Sequence, residues 1–392
     1  MRLPDHEAAI VLGGGGARAA YQVGALRAIV RILGRRGRLP FPVVCGTSAG
    51  AINAVALAVH ADDFRRGVAR LVRWWRRIDV GDVYRTDFAA LSRHSAQFLA
   101  SVLTGTRPPP GVASLLDNAP LATLVDRAFD FTRIAAHVTR GDLHALSINA
   151  TSYTTGEAVT FFEGAPTLAG WRRMRRRGER TRLERAHLLA STAIPFMFPA
   201  GRIGDDYYMD GSVRQLLPLS APLNLGARRV LVLAVGQFSG QRAPADVSAA
   251  YPSFAQAAGH ALSTIFLDNL AADLERMAQV NRLVGLLRPA DLAARGLDVG
   301  HVEALVLAPS QDLGALALAH EARLPNPVRT LLRALGSTQG TGANLISHLL
   351  FDRAFCRALL ALGYADTMAR RAEIAAFLAG CAPPPVPLAG SV

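Results

Sequence analysis

The sequence predicts an α/β fold built on a mostly parallel central sheet. Two observations carry that prediction. The short apolar runs Ala8-Ala9-Ile10-Val11-Leu12 and Pro42-Val43-Val44-Cys45 each end at glycine. Each is followed by a stretch with helical spacing, so strand, helix, strand and helix fill about the first 60 residues. From about residue 240 the pattern turns largely helical. The chain therefore divides into a sheet-bearing domain over 1–240 and a mainly helical C-terminal extension over 241–392, packed on it.

The elements follow in order. The first helix spans 18–33, with apolar residues at Val23, Leu26, Ile29, Val30 and Leu33 and stops at Gly34 and Gly37. Residues 63–140 read as mostly helical, broken at Pro108-Pro109-Pro110-Gly111. Strands at 145–150 and 158–162 flank the turn Thr154-Thr155-Gly156. A basic segment covers 171–185. A hairpin around Gly204-Asp205 leads into Asp210-Gly211. A buried strand follows at 229–235, and one more strand interrupts the helical C-terminal part at 302–307. No internal repeat is visible.

Composition removes several classes of chemistry. Hydrophobic residues make up 51% of 392, enough to build a large core. All 43 basic residues are arginine, which rules out a P-loop lysine, a Schiff-base lysine and a Ser-Lys dyad. The net charge of +13 is a weak pointer to a partner in a chain so rich in Arg and Ala. Cys45, Cys356 and Cys381 have no spacing suited to a disulfide framework or a zinc site. The N-terminus is unlike a signal peptide. The longest uncharged stretch, 39–61, holds Pro40, Pro42, Gly46, Ser48, Gly50 and Asn53, and reads as a buried strand-turn-helix. A cytoplasmic protein is expected, with peripheral membrane association as an option.

Two glycine-containing motifs carry the chemistry. Gly46-Thr47-Ser48-Ala49-Gly50 puts a serine between two glycines at a strand-to-helix turn, the pattern of a nucleophile elbow. Gly13-Gly14-Gly15-Gly16-Ala17-Arg18 leaves several N–H groups unshielded at a helix start, fit for a phosphate or an oxyanion. A dinucleotide site is the other reading of that loop. However, no acidic residue lies between Glu7 and Asp62 to hold a ribose. The serine needs a base. His60, His94, His137, His187 and His348 lie in helical patterns and read as packing or surface residues. Asp210, before Gly211 at a strand end, is the better candidate, although an isolated Asp-Gly is more often a turn.

With these residues in view, the chain resembles the patatin-like phospholipases over about residues 8–235. The glycine-rich loop with its following arginine, the G-x-S-x-G serine and the D-G aspartate all occur in the family's order. Similarity extends to 21–26, 190–196 and 218–233. Ser212 stands where Gly or Ala is usual, and Ala19 where Gly is frequent. The resemblance implies a three-layer α/β/α patatin-like fold and a lipid ester substrate. It implies a catalytic dyad of Ser48 and Asp210 without histidine, working through an acyl-enzyme. Gly14, Gly15 and Gly16 would form the oxyanion hole. Arg18 would orient that loop or meet a lipid phosphate. Ile194, Pro195 and Phe196 would line the acyl channel. No metal and no organic cofactor is implied.

Two basic stretches with aromatics, 65–77 and 171–185, read either as solvated faces or as docking sites for anionic lipid headgroups with tryptophan at the interface. No nucleic-acid reading motif accompanies them. Three rivals stand beside the dyad hydrolase. One is a Ser-His-Asp carboxylesterase, for which a histidine is essential. Another is a membrane-associated regulatory protein with little turnover. The most remote is a dinucleotide-binding oxidoreductase. The sequence sets no oligomeric state.

Overall fold

The computed structural model describes residues 7–34, 37–87, 97, 100, 103–105, 114–214, 218–236, 254–294, 300–334, 336 and 343–380, with the main chain alone at 254–268, 289, 290 and 293. Pro108 to Gly111 and His94 lie outside the described residues.

Ten strands form one sheet among these residues: β1 (Ala8–Leu12), β2 (Val43–Thr47), β3 (Ala145–Ser152), β4 (Ala158–Gly164), β5 (Trp171–Arg173), β6 (Arg176–Arg180), β7 (Gly201–Ile203), β8 (Asp206–Asp210), β9 (Arg229–Leu233) and β10 (Glu303–Leu307). The main order is β10-β9-β1-β2-β3-β4-β6-β5, and β10 through β3 all run parallel.

Helices cover both faces. Side chains alternate across the strands, so Ile10, Leu12, Val44, Leu231 and Leu233 face one core and Ala9, Val11, Val43, Cys45, Val230 and Val232 the other. The first core packs α1 (Ala20–Leu33), α2 (Ala49–Ala58), α3 (Phe64–Trp75) and the helices Ala343–Leu349 and Arg353–Ala369. The second holds Leu219, Ala221, Leu225 and Leu270. Helix, sheet and helix thus make three layers, as the strand-helix alternation predicts. The C-terminal third supplies strand β10 as well as helices, and it shares the larger core.

One pairing decides where the site forms. On one edge of β3, β2 pairs with residues 145–149, ending at Thr47↔Asn149. Antiparallel β8 takes over that same edge from Ala150, opposite Asp210. The end of β8 therefore meets the end of β2, which brings Asp210 beside Ser48.

Candidate active site

Ser48 follows β2 and starts α2 with φ of 55°, a left-handed conformation that serine rarely adopts. The surroundings over-determine it. Ser48 N–H donates to Ser191 Oγ (2.9 Å), and Ser191 Oγ–H donates to Asn149 O (2.6 Å). A Cβ at Gly50 would stand 2.2 Å from Leu12 O, so only glycine lets α2 start this close to β1. The turn joins strand to helix with the positive φ at serine that a nucleophile elbow has.

The Ser48 side chain stands beside the Asp210 carboxylate, close enough to act on its ionisation. Asp210 is 2% exposed and accepts a hydrogen bond from Ser212 N–H at 2.8 Å, with the Ser212 hydroxyl also close by. Burial pushes its carboxyl up to about 6, and Ser48 and Ser212 hold it lower than burial alone would. Its own N–H donates to Ala193 O (2.8 Å), which locks the end of β8.

The glycine loop lies against this pair. A Cβ at Gly14 would meet Ser212 Oγ at 2.3 Å and Ser48 Cβ at 3.0 Å. Gly16 has φ of 56°, with His348 O 2.1 Å from its missing Cβ. Gly13 N–H donates to Leu233 O, and Arg18 N–H donates to Gly15 O. Between them, the N–H groups of Gly14, Gly15 and Gly16 find no acceptor among the described residues. The loop is braced from beneath: Gln22 Nε2 donates to Gly13 O (2.8 Å) and Leu233 O (3.1 Å), Asn53 Nδ2 to Gln22 Oε1 (3.0 Å), and Trp75 Nε1 to Asn53 Oδ1 (2.8 Å).

Arg18 faces away from solvent. Its Nε donates to Ser347 Oγ (2.7 Å) and its Nη2 to Asn344 Oδ1 (2.7 Å), and burial lowers the guanidinium to about 10. Of its two anticipated roles this fits orienting the loop. A guanidinium buried on the helix Ala343–Leu349 does not meet a lipid phosphate.

A narrow apolar crevice opens at Ser48, lined by Ile52, Trp74, Ile78, Leu121, Ile194, Phe198 and Phe351 among others. Ile194 lies in this lining. Pro195 and Phe196 are not in the lining, and Phe196 is 63% exposed in a turn with φ of 65°. That turn sends Phe196 outward and leaves Phe198 to line the crevice. His348 also lines it, but its Nδ1 donates to Asn344 O (2.7 Å), and burial and Arg18 depress its imidazole to about 3.

Ser191 and Asn149, which hold Ser48 N–H, and Asn344 and Ser347, which hold Arg18, were not among the residues expected from sequence. Ser191 sits in a stretch that carries the family likeness. Asn344 and Ser347 lie 326 and 329 residues from Arg18, and no local signal marks them. The basic segments also differ from expectation. The segment at 171–185 opens as the β5–β6 hairpin, whose Trp171 stacks on Phe162 (5.3 Å). On α3 the arginines are exposed, but Trp75 is buried and Trp74 lines the crevice. None of these tryptophans stands ready at a membrane interface.

Among the described residues, no group of His, Cys, Asp and Glu could hold a metal ion, and no helix is long and apolar enough to cross a membrane.

A serine on a strained strand-to-helix turn, beside a buried carboxylate at the strand ends of an α/β/α sandwich, has the architecture of a serine hydrolase. The family model of the patatin-like phospholipases matches residues 10–223, more than half of the chain, and the chain belongs to that family. Membership makes it a lipid acyl hydrolase in class. No curated protein matches the chain.

Proposed function

We propose that the protein is a phospholipase A or lysophospholipase type ester hydrolase working through a Ser48–Asp210 dyad. The observation that carries this reading is the meeting of Ser48 and the buried Asp210 carboxylate at the adjoining ends of β2 and β8, where the Ser48 side chain acts on that carboxyl. Ser48 Oγ attacks the ester carbonyl carbon while its proton passes to Asp210. The unpaired N–H groups of Gly14, Gly15 and Gly16 take up the charge that develops on the carbonyl oxygen. The alcohol leaves with the proton held by Asp210. Water, deprotonated by the same carboxylate, then releases the fatty acid from the acyl-enzyme. A carboxyl raised to about 6 is a better base than an exposed aspartate and is still ionised at neutral pH. The acyl chain lies in the crevice beyond Ser48.

The Ser-His-Asp alternative has less support. His348, the histidine in the crevice lining, spends Nδ1 on a main-chain carbonyl and has no orienting carboxylate. Contact with an anionic membrane surface is proposed through the β5–β6 hairpin, where Met174 is 90% exposed beside Arg172, Arg173 and Arg175.

The test is hydrolysis of a phospholipid and lysophospholipid panel by wild type, Ser48→Ala and Asp210→Asn, with fluorophosphonate labelling. Both variants should lose at least ~10³-fold in kcat/KM. Full activity and labelling in Asp210→Asn would reject the dyad. Labelling of wild type without turnover on any lipid ester would reject the substrate class.

A further inference from the structure

A second cavity lies on the other side of the sheet. It is lined by Asn149, Thr160, Trp171, Arg175, Arg176, Arg177, Gly211, Arg214 and Ser220, together with Met174 and small apolar residues. Among the described residues, four arginines contribute and no carboxylate does. Their charges are unevenly compensated. Arg177 pairs with Glu157 (2.6 Å) and Glu179 (3.5 Å). Arg214 donates to Gly156 O, a neutral partner. Arg176 Nη1 is buried without a hydrogen-bond partner among the described residues. The opposing charge that acts on Arg176 comes from Asp273, and that carboxylate is already engaged by Leu219 N–H (2.8 Å). A desolvated guanidinium nitrogen with no acceptor costs folding energy unless something from outside supplies an anion.

The cavity reaches the catalytic residues. Gly211 follows Asp210 directly. In addition, Thr47, Asn149 and Thr160 are registered neighbours on β2, β3 and β4. Asn149 Nδ2 donates to Thr47 Oγ1 (3.0 Å) and Thr160 Oγ1 donates to Asn149 Oδ1 (2.7 Å). This polar row runs on the face that carries Val43 and Cys45, from the residue before Ser48 to the arginines. The acyl crevice lies on the opposite face, with Ile52 of the other core.

We infer that the Arg176–Arg214 cavity binds a phosphate group, so that an ester substrate straddles the ends of the strands with its acyl chain on one face and its phosphate on the other. This rests on Ser48 acting on lipid esters, although the anion site stands without it. The phosphate belongs either to the headgroup of the substrate or to a free phosphate-bearing solute, and arginine forks suit both.

Two measurements on the full chain test this. The first is calorimetric titration with inorganic phosphate and with glycerol 3-phosphate. The second compares kcat/KM for a lysophosphatidic acid with that for the monoacylglycerol of the same chain. The variants are Arg176→Gln and Arg214→Gln, with Arg31→Gln, exposed on α1 and outside the lining, as the control. Thermal melts establish which variants fold, and either of the first two suffices. Phosphate affinity should fall about tenfold or more in both pocket variants and stay unchanged in the control. A preference for the phosphate-bearing ester, lost in the same variants, identifies the headgroup as the source. Phosphate binding without that preference identifies a free solute and keeps the site. Binding with no hydrolysis of either ester rejects the proposed function and leaves the site standing. Absence of both binding and preference, or indifference of both to Arg176→Gln and Arg214→Gln, overturns the inference.

Discussion

Asp210 carries opposite demands. In the proposed dyad its carboxyl must be ionised to accept the Ser48 proton, yet burial raises it from 3.8 to about 6. Hydrolysis should therefore rise with pH across about 6 and level off above, read from kcat/KM against pH. A carboxyl raised in the folded state favours folding at low pH, fully so below 3.8, and that advantage is lost as pH rises through about 6. At neutral pH the charged form thus costs roughly 3 kcal/mol. Asp210→Asn should melt above wild type at pH 8, with the gain vanishing near pH 4, while activity is lost. Ser212 tunes the same group, because its N–H bond to the carboxylate and its nearby hydroxyl both lower it. Ser212→Ala keeps the N–H bond and removes the hydroxyl. The acid limb of the pH–rate profile should then move to higher pH without loss of Ser48 labelling.

At the scale of elements, two contacts stand out. α3 presents two adjacent tryptophans with different duties. Trp75 is pinned by Asn53 and stacks on Phe351. Trp74 Nε1 has no hydrogen-bond partner among the described residues, and the ring lies between the Ser48 crevice and a second apolar space lined by Ala56, Val59, His60, Leu71 and Phe129. Trp74→Ala should join the two spaces and shift selectivity toward longer acyl chains, measured as kcat/KM over esters of increasing length. The other contact is between α1 and the helix Arg353–Ala369, where a Cβ at Gly363 would stand 2.0 Å from Tyr21 O. Gly363→Ala forces the two backbones apart and should cost about 3 kcal/mol in denaturant unfolding.

At the scale of the whole molecule, the matched family region ends at residue 223, but the core does not. β10 extends the parallel sheet beside β9, and Leu345, Leu349, Phe355 and Leu359 belong to the same buried cluster as Leu26 and Ile29. The glycine loop itself is anchored by Arg18 to Asn344 and Ser347. A chain ending at residue 236 exposes that apolar surface and strands a buried guanidinium. It should fail to give a soluble, cooperatively melting protein. Arg18→Ala in the full chain should cost about 2–3 kcal/mol and lower kcat more than it raises KM, because the loop loses its far support.

The amino-acid sequence by itself determined what local sterics and short-range pattern determine. The strand-helix alternation, the elbow at Gly46–Gly50, the glycine loop and the Asp210 turn are all written within a few residues, because each depends on backbone geometry that only glycine or a β-branched run permits. The order of the family motifs pairs Ser48 with Asp210. Other features depended on contacts across long sequence separations, for which a local pattern carries no signal. They include the handover of β3's edge from β2 to β8, the Arg18 anchor more than 300 residues away, the inward turn of Trp74 and Trp75, and the hairpin made by the basic segment. Pro195 and Phe196 illustrate the limit: their composition suits an acyl channel, but the turn holding Phe196 at φ of 65° gave that place to Phe198. Packing of the whole chain made that choice, because a side chain's direction is set by the backbone the fold imposes on it.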